Sequence, residues 1–348
     1  MRGIISRFAP APTGFLHLGH VVNAVHVWRE TRARAGTVLL RIEDHDRQRS
    51  RPEFEAAILE DLAWLGFEAD APPVRQGDRD DIYLQALDTL RRQGLVYACD
   101  CTRAAIVAAR SALKGCATDS REAATAPAGE SDVAPAFGPA GTHGVAARAA
   151  LKGCTTDSRA GAAAPAGESR VAQAFGPADT APVDEAHVAQ PFRVADTELC
   201  YPGTCRDRGL AAGPGVGLRV RLEPSIERFN DLRLGPQEQR PSDQCGDLLV
   251  RDRDGNWTYQ FAATVDDLVQ GVTLVVRGVD LLASTGRQIQ LARLLGRAEP
   301  PAFLHHPLIM KSPEQKLSKS DGDTGIRELR AAGWAPEDVI ARALSLAD

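Results

Sequence analysis

The chain has 348 residues, of which 43% are hydrophobic and 25% are charged, a composition typical of a globular protein long enough for two modest domains. No apolar run approaches the roughly 20 residues of a membrane span, and the N-terminus lacks the apolar core of a signal peptide, so a cytoplasmic protein is expected. The net charge of -5 excludes nucleic-acid binding through overall positive charge and leaves a local basic surface for any RNA partner.

The first hundred residues predict an α/β arrangement. Short strands are expected at residues 4–8 and 37–42, and apolar residues recur at helical intervals within 20–34, 53–65 and 83–92. Strands and helices that alternate in this way form a parallel sheet, which binds ligands at the carboxyl ends of its strands.

The composition changes between about residues 104 and 190, where Ala, Gly and Pro dominate. Residues 112–142 and 150–180 are near-duplicates at an offset of 38, with 24 identities in 31 positions. The stretch has little large apolar surface to offset the entropy of ordering it, and two copies are fewer than a solenoid needs. We therefore predict a tandem insertion that forms a largely disordered loop.

Globular character returns after Tyr201. The predicted elements are strands at 218–222, 229–234 and 272–277, a hairpin with arms 247–251 and 256–261 around Asp254-Gly255, and a helix at 284–295. The chain continues for only 28 residues past Ser320, so no large further domain is expected.

The first chemical motif is His17-Leu18-Gly19-His20, which lies between the first predicted strand and the first predicted helix. Two imidazoles and a closely approachable backbone at a helix N-terminus favour anionic phosphate. The imidazoles can donate hydrogen bonds to ATP as charge develops at its α-phosphorus. Alone the pattern is weak, because a single histidine is more often structural, but the preceding Pro12-Thr13-Gly14 turn strengthens it.

The second motif is Lys316-Leu317-Ser318-Lys319-Ser320. Only five of the 41 basic residues are lysines, and three of these, Lys311, Lys316 and Lys319, fall within nine positions. Two ammonium groups three residues apart can bind a pyrophosphate leaving group. On its own the segment would be a solvated basic turn; together with the histidine motif it indicates an ATP site.

Five further segments follow the pattern of one enzyme family. They are Arg-Ile-Glu-Asp at 41–44, Tyr-Ala-Cys-Asp-Cys-Thr-Arg at 97–103, Tyr-Pro-Gly-Thr-Cys-Arg at 201–206, Val-Asp-Asp at 265–267 and Val-Arg-Gly-Val-Asp at 276–280. With them the chain resembles class I aminoacyl-tRNA synthetases of the glutamyl type, most closely the truncated glutamyl-Q tRNA(Asp) synthetases that lack an anticodon-binding domain. The resemblance covers residues 2 to about 103 and 201 to about 322.

The resemblance implies an α/β fold with a Rossmann-type catalytic core and a parallel sheet, a small zinc-binding, acceptor-like insertion subdomain and a short C-terminal helical stub. The expected division places the first half of the catalytic domain at 1–98 and the subdomain with its insertion at 99–205. The rest of the catalytic domain follows at 206–300, and the lysine loop and stub at 301–348.

The resemblance also implies a glutamate pocket. Its residues are Arg7, Phe8, Ala9, Pro10, Ala11, Glu43, Tyr259 and Arg277. Glutamate has two carboxylates and one ammonium group, so the arginines suit the carboxylates, Glu43 suits the ammonium group and Tyr259 supplies a hydroxyl. Which arginine meets which carboxylate stays open, and a surface ion pair between Arg277 and Asp280 is the alternative. Ala11 stands where the family usually has serine, which removes a hydroxyl from the pocket.

Seven cysteines in a chain without an export signal favour a metal site or free thiols over a disulfide framework. The resemblance implies a structural Zn²⁺ site formed by Cys99, Cys101, Tyr201 and Cys205. Cys200 is a rival ligand to Tyr201, and unligated thiols are the alternative. About 100 residues separate the two halves of this site, which is tolerable because loop-closure entropy grows slowly with length.

The implied reaction is ATP-dependent activation of L-glutamate to glutamyl-adenylate without tRNA, followed by transfer to the queuosine base at the wobble position of tRNA(Asp). His17, His20 and Lys319 would stabilise the transferred phosphoryl group, with Lys316 assisting, Gly19 in the ATP site and Mg²⁺ shielding the phosphates. We expect a monomer with no membrane partner.

Three alternatives stay open. A truncated glutamyl-tRNA synthetase would charge the 3′ end of tRNA(Glu), although the absence of a C-terminal anticodon-binding domain favours the queuosine acceptor. A class I nucleotidyltransferase of the pantothenate synthetase type would share the histidine and lysine motifs but not the Arg7 pocket or the cysteines. A non-catalytic tRNA-binding paralogue would not activate glutamate.

Overall fold

The computed structural model describes residues 3–111, 199–308, 310–312, 315–316 and 325–346. The near-duplicate segments at 112–142 and 150–180 lie outside the described residues, as does Lys319. The disordered insertion therefore stays a prediction.

Strands alternate with helices through most of the described chain, as the sequence predicts. The strands are β1 (Ile5–Phe8), β2 (Thr37–Ile42), β3 (Val74–Arg75), β4 (Val96–Cys99), β5 (Gly217–Val220), β6 (Glu227–Asp231), β7 (Gly235–Gln239), β8 (Leu248–Arg251), β9 (Leu274–Gly278), β10 (Ala302–His306), β11 (Met310–Ser312) and β12 (Gln315–Lys316). The helices are α1 (Leu18–Arg32), α2 (Pro52–Trp64), α3 (Asp80–Arg92), α4 (Pro241–Cys245), α5 (Tyr259–Val269), α6 (Thr285–Leu294), α7 (Ile326–Ala331) and α8 (Pro336–Ser345), and residues 103–111 are also helical. The strands and helices predicted within the first 92 residues are confirmed, with small shifts at their ends.

The first three helices begin and end where local chemistry favours it. α1 buries Val21, Val25 and Trp28 at helical spacing. α2 starts at Pro52, whose fixed φ and missing N–H group suit the first turn of a helix. α3 has aspartates in its first turn and arginines in its last, which complements the helix dipole.

The parallel strands meet around β1. β1 pairs with β2 and β2 with β3, while β9, β10 and β6 form a second parallel set with β7 antiparallel at its edge. The two sets adjoin where the Thr273 amide donates to the Ile5 carbonyl (2.8 Å) and the Ile5 amide donates to the Thr273 hydroxyl (2.8 Å). The strand order therefore reverses between β1 and β9, and the crevice at their carboxyl ends is where open α/β sheets bind ligands.

The strands β4, β5 and β8 form a separate antiparallel sheet in that order. Its apolar face packs against α3 and α5, with Leu87, Leu90 and Phe261 fully buried between them. β5 and β8 come after residue 205, in the segment predicted to start the rest of the catalytic domain. The sheet therefore extends past this predicted boundary, to Arg251. Its β4–β5 pairing joins strands on opposite sides of the insertion, and no local sequence pattern indicates this pairing.

The predicted hairpin of 247–251 and 256–261 is wrong in its second arm. Its turn forms, because the Asp252 carboxylate accepts two backbone amides of the turn at 2.8 and 2.9 Å. Beyond the turn, an isolated bridge joins Trp257 to Arg251, and the chain then enters α5. The helix buries its apolar residues at helical spacing: Phe261, Ala262 and Val265.

The C-terminal helices α7 and α8 pack onto the core of the parallel sheet, which confirms the predicted helical stub. Ile326, Leu329, Val339 and Ile340 are at most 8% exposed and join the apolar cluster that α1, β1 and β2 form. Burying each such side chain contributes roughly 1.5–3 kcal/mol. Within the described ranges, no helix combines the length and the apolar character needed to cross a bilayer.

Candidate active site

The histidine motif forms the N-terminus of α1. Nδ1 of His17 accepts the amide of Gly19 (3.1 Å), and Nδ1 of His20 accepts the amide of His17 (3.1 Å). This reciprocal capping satisfies amides that a helix N-terminus would otherwise leave unpaired. Because both Nδ1 atoms accept, a neutral ring at either position carries its proton on Nε2. The ring centroids are 4.0 Å apart, so both imidazoles lie at the positive end of the helix.

Gly19 is required by close packing within this motif. A Cβ atom at this position would lie 2.9 Å from Cε1 of His17, closer than real Cβ atoms approach a non-bonded neighbour. The glycine therefore allows the His17 ring to fold over the first turn of α1 and form its cap.

The chain that follows the lysine motif returns to the histidine motif. Gly325 and His17 form an antiparallel bridge, and the Ile326 amide donates to the Leu16 carbonyl (3.0 Å). On the other side of the motif, Lys316 pairs with Met310 between β12 and β11. Residues 317–324 lie outside the described part of the chain, so the contact of the two lysines with phosphate stays a prediction.

Asp267 of α5 connects the arginines of β1 and β2. Its Oδ1 accepts Nε of Arg7 (2.9 Å) and Nη1 of Arg41 (2.7 Å), and Nη2 of Arg41 reaches Oε1 of Glu43 (3.2 Å). Burial alone would raise the pKa of the Asp267 carboxyl, but the two guanidinium groups outweigh burial and hold this pKa at about 2. Asp267 is therefore an anion that fixes Arg7 at the carboxyl end of β1.

Glu43 directly follows β2 and is 7% exposed. Its amide donates to the Pro10 carbonyl (3.0 Å), which ties the turn after β1 to the end of β2. Burial raises the pKa of Glu43 above its usual value, even though Arg41, His45 and Arg7 act in the opposite direction. A ligand with an ammonium group would favour the ionised carboxylate in this position.

Arg277 lies near the carboxyl end of β9 and is 3% exposed. Its Nε donates to Nε2 of His305 (3.1 Å), Nη1 to Oε1 of Gln288 (2.7 Å) and Nη2 to Oγ1 of Thr285 (2.8 Å). The alternative of a surface ion pair with Asp280 is wrong, because the guanidinium group is buried among these acceptors.

Tyr259 begins α5 and is half-buried. Burial and the nearby Glu43 carboxylate raise the pKa of its hydroxyl, while Arg277 and Arg7 act in the opposite direction. The hydroxyl is therefore neutral and lies within the electrostatic reach of all three charged groups. The structure thus brings Arg7, Glu43, Tyr259 and Arg277 to one crevice.

Residues 8–11 form the end of β1 and the turn that follows it. The Phe8 side chain is 1% exposed and packs edge-on against Trp28 with 5.7 Å between ring centroids, so it belongs to the core and not to the pocket. Pro10 is also buried and uses its carbonyl for Glu43. Ala9 and Ala11 are half-buried in the turn after β1. Phe8 can therefore line the crevice only with its backbone, and the place of residues 8–11 in a glutamate pocket stays a prediction.

The cysteine cluster forms where β4 ends. The Sγ atoms of Cys99, Cys101 and Cys205 all lie within 4.8 Å of one another, with Cys101 and Cys205 at 3.4 Å. Sulfur ligands of one tetrahedral zinc ion are about 3.8 Å apart, since each Zn–S bond is about 2.3 Å. The donor set therefore fits Zn²⁺, and it is the one group of three potential ligands found in the part of the chain that the structure describes.

Tyr201 and Cys200 differ in their relation to this cluster. The Tyr201 hydroxyl lies 3.5 Å from Sγ of Cys99 and accepts the Cys205 amide (2.7 Å). Sγ of Cys200 instead lies 4.0 Å from the Ser242 carbonyl, and Cys200 is not part of the group. This geometry favours Tyr201 as the fourth ligand.

Arginine side chains surround the sulfur atoms. Nε of Arg219 lies 3.4 Å from Sγ of Cys99, and its guanidinium stacks 3.7 Å from the centroid of the Tyr201 ring. Nη1 of Arg208 lies 3.3 Å from Sγ of Cys205. At Cys99, burial alone would raise the pKa of the thiol, but hydrogen bonds from Tyr201 and Arg219 outweigh burial and lower this pKa, which favours the metal-binding thiolate form, whereas burial raises the pKa of Cys101.

Two residues that hold the pocket arginines, Asp267 and His305, have no role assigned from the sequence, although Asp267 lies in the Val-Asp-Asp segment. Asp267 has a usable signal, because adjacent carboxylates at 266 and 267 interrupt an otherwise apolar helix. No sequence signal indicates a role for His305. Its partners come from other strands and helices, and its position beside a second histidine in a short strand follows no recognisable spacing.

Comparison with known proteins identifies one family. Residues 3–129 and 206–346 match the family model of tRNA synthetases class I (E and Q), catalytic domain. A protein named glutamyl-Q tRNA(Asp) synthetase from Rhodobacter capsulatus is 33% identical over 348 residues, which cover 97% of this chain and 98% of that protein. Proteins of the same name from Burkholderia cenocepacia and Bordetella bronchiseptica are 35% and 37% identical; the alignments cover 93% and 91% of this chain and 83% and 75% of those proteins.

The fold is also found in a solved structure. The crystal structure of a glutamate tRNA ligase from Elizabethkingia meningosepticum, in complex with its amino acid, aligns with 98% of this chain at a TM-score of 0.61 and 22% identity. This chain spans 60% of the length of that protein. The similarity confirms the expected parallel α/β synthetase core.

Proposed function

The chain belongs to the class I tRNA synthetases of the glutamate and glutamine type, and we propose that it activates L-glutamate with ATP, without tRNA, and transfers it to the queuosine base at the wobble position of tRNA(Asp). The observation that carries this proposal is that Arg7, Arg277 and Glu43 meet at the crevice between β1 and β9. Two fixed cations and one carboxylate complement the two carboxylates and the ammonium group of glutamate.

The chemistry needs no side-chain nucleophile. A carboxylate oxygen of glutamate attacks the α-phosphorus of ATP, the bond from that phosphorus to the bridging oxygen breaks, and pyrophosphate leaves, so that no proton is transferred. His17 and His20, as neutral rings with the proton on Nε2, donate to the oxygens of the transferred phosphoryl group at the N-terminus of α1. Lys319, assisted by Lys316, binds the departing pyrophosphate. Mg²⁺ bound with ATP neutralises phosphate charge.

Cys99, Cys101, Cys205 and Tyr201 would hold a structural Zn²⁺. A closed site with four protein ligands supplies folding free energy and no open position for chemistry. The ligands come from both sides of the residue 104–190 insertion, so the metal would link the two ends of the inserted segment.

The proposed acceptor rests on the relatives named glutamyl-Q tRNA(Asp) synthetase, with which this chain is 33–37% identical. The competing acceptor is the 3′-terminal ribose of tRNA(Glu), which a truncated glutamyl-tRNA synthetase would use. Both reactions share the activation step, so the two are separated by the site on the RNA that receives glutamate.

Two measurements test the proposal. Exchange of labelled pyrophosphate into ATP should depend on glutamate, not on glutamine or aspartate, and should need no RNA; no exchange would indicate a non-catalytic paralogue. Labelled glutamate should then enter tRNA from queuosine-containing cells but not from queuosine-deficient cells, and removal of the 3′-terminal adenosine should leave the label unchanged. Labelling of tRNA(Glu) that is lost with this adenosine would overturn the queuosine assignment.

A further inference from the structure

A buried chain of polar side chains runs from Asp231 to Arg277. The Asp231 carboxylate, at the end of β6, contacts Nδ1 of His305 on β10 (2.6 Å), and Nε2 of the same ring contacts Nε of Arg277 on β9 (3.1 Å). Each of the three residues is at most 3% exposed. Because little water reaches these groups, their orientation is set by one another.

The partners determine which nitrogen of His305 carries the proton. Nε2 of His305 faces Nε of Arg277 (3.1 Å) and the Thr285 hydroxyl (3.2 Å). The guanidinium Nε can only donate and the hydroxyl can donate as well, so Nε2 accepts, and the ring proton lies on Nδ1, where it is donated to Asp231. Asp231 is itself fixed, because its Oδ1 accepts the amides of Arg233 (3.0 Å) and Leu234 (2.9 Å). A proton on Nε2 would instead point at the Arg277 N–H and disrupt the contact.

The result is a guanidinium group whose plane is fixed from one side. His305 holds Nε, while Thr285 and Gln288 of α6 hold Nη2 and Nη1. Arginine has five N–H donors and these three partners use three of them, so donors on the Nη atoms remain for the Tyr259 hydroxyl, which also contacts Arg277, and for a planar ligand such as a carboxylate. An orientation fixed before the ligand arrives lowers the entropic cost of binding.

We infer that Asp231 and His305 are positioning residues for substrate-carboxylate binding: they orient Arg277 through the Nδ1–H tautomer of His305. The inference rests on the proposed function, in which Arg277 binds a glutamate carboxylate. Neither residue needs to touch the substrate, and Asp231 acts on Arg277 only through the imidazole.

Asp231→Asn tests this relation directly. The asparagine oxygen can still accept the amides of Arg233 and Leu234. Its NH₂ group replaces Oδ2, which accepts both Nδ1–H and the backbone amide of His305 (3.1 Å), so this amide contact is lost and the imidazole proton is driven to Nε2. In glutamate-dependent pyrophosphate exchange, we expect KM for glutamate to rise about 10- to 100-fold, the usual effect of losing a hydrogen bond to a charged group, while kcat and KM for ATP change less than about threefold.

Substitutions of His305 separate positioning from structural support. His305→Gln offers an amide oxygen to Nε of Arg277 and should keep KM for glutamate within about threefold of the parent. His305→Phe keeps the ring but removes the acceptor, and should match Asp231→Asn. Adding Asp231→Asn to His305→Gln should change KM for glutamate less than about threefold, because no imidazole tautomer is left to control and only the amide contact of residue 305 is lost. If Asp231→Asn does not fold, the inference is tested by KM for glutamate in the other two variants: it should rise in His305→Phe and stay near the parent value in His305→Gln, and equal values would overturn the inference.

Glu227→Gln is the matched control, because Glu227 is a buried carboxylate on the same strand whose partner is Arg293. It should leave KM for glutamate unchanged. The inference is overturned if Asp231→Asn has the same effect in the His305→Gln background as beside the native histidine, or if KM for ATP rises equally. ¹⁵N shifts of the His305 ring should show the Nδ1–H tautomer in the parent and its loss in Asp231→Asn; an unchanged tautomer overturns the inference even without activity. A parent without glutamate-dependent exchange contradicts the proposed function instead.

Discussion

Gly325 and His17 are partners in an antiparallel bridge, so the chain that leaves the lysine motif is held against the histidine motif. The Ile326 amide adds a hydrogen bond to the Leu16 carbonyl (3.0 Å). The chain therefore emerges from residues 317–324 at the N-terminus of α1, and an ATP site shared by the two motifs stays a prediction.

Lys319→Ala should abolish glutamate-dependent exchange of pyrophosphate into ATP without changing the thermal midpoint of unfolding. The ammonium group would stabilise charge that develops on the leaving group, and alanine offers no replacement. Lys114→Ala, which removes the same side chain within the insertion, is the control and should retain full exchange. Activity of Lys319→Ala within a few-fold of the parent would remove this lysine from the mechanism.

The purified protein should contain about one zinc per chain, measured by elemental analysis, and Cys99→Ser should lose it. The reason is that Cys99 supplies one of the three clustered thiolates. Cys200→Ser is the matched control, because Sγ of Cys200 lies against the Ser242 carbonyl outside the cluster. If Cys200→Ser loses zinc and Tyr201→Phe keeps it, Cys200 is the fourth ligand and Tyr201 is not.

Asp267→Asn should lower the free energy of unfolding by about 3–5 kcal/mol at pH 7, because it leaves the buried cations Arg7 and Arg41 without their shared anion. The pKa of Asp267 is depressed to about 2, so its stabilising effect is present above pH 4 and is lost as the pH falls through 2. Urea denaturation between pH 7 and pH 2 should therefore show the difference from the parent shrinking in acid.

Glu238→Gln provides the comparison for this experiment. It breaks an ion pair with Arg228 in which both side chains are exposed, and such pairs contribute at most about 1 kcal/mol. Equal losses from Asp267→Asn and Glu238→Gln would contradict a special role of the buried carboxylate.

Asp61→Asn should stabilise the protein at pH 7.5 by up to about 3 kcal/mol. Asp61 is 1% exposed in α2, and burial, reinforced by Glu60, raises the pKa of its carboxyl to about 6. A raised pKa in the folded state means that stability is fully present below the ordinary pKa near 4 and is lost as the pH rises through 6. The gain from Asp61→Asn should therefore vanish near pH 4, as measured by urea denaturation.

Asp88→Asn is the control for the Asp61 experiment, since Asp88 is an exposed carboxylate on α3. It should give no pH-dependent gain. A parallel displacement of the two pH profiles for Asp61→Asn and the parent would show that Asp61 does not titrate in the folded protein between pH 4 and pH 7.5.

The parts of the site that follow from local chemistry are predictable from the sequence. His17 caps a helix whose periodicity is plain, His20 lies in its first turn, and their capping bonds join residues two and three positions apart. The two halves of the cysteine cluster are visible as motifs, although Cys101 and Cys205 are 104 positions apart in the sequence. Each half has a recognisable spacing, and the hypothesis of a shared metal ion is what predicts their contact.

The support of Arg277 is not predictable in the same way. Its position in an apolar strand indicates a buried cation that needs an anion, but His305 and Gln288 become its partners only when β10 and α6 pack beside β9. The prediction of the second hairpin arm was wrong for a related reason. Residues 256–261 contain enough aromatic residues for a strand, and packing against α3 and the antiparallel sheet selects a helix from Tyr259 onward.

The contact between Cys101 and Cys205 affects how much stability the protein loses when the segment between them becomes longer. A flexible loop between these residues, as the sequence predicts for the insertion, starts and ends at one point, so the closure free energy grows only with the logarithm of its length. Lengthening such a loop by one 38-residue copy costs less than the about 0.6 kcal/mol of a full doubling. On this prediction, the near-duplicate at 150–180 costs the folded protein little stability.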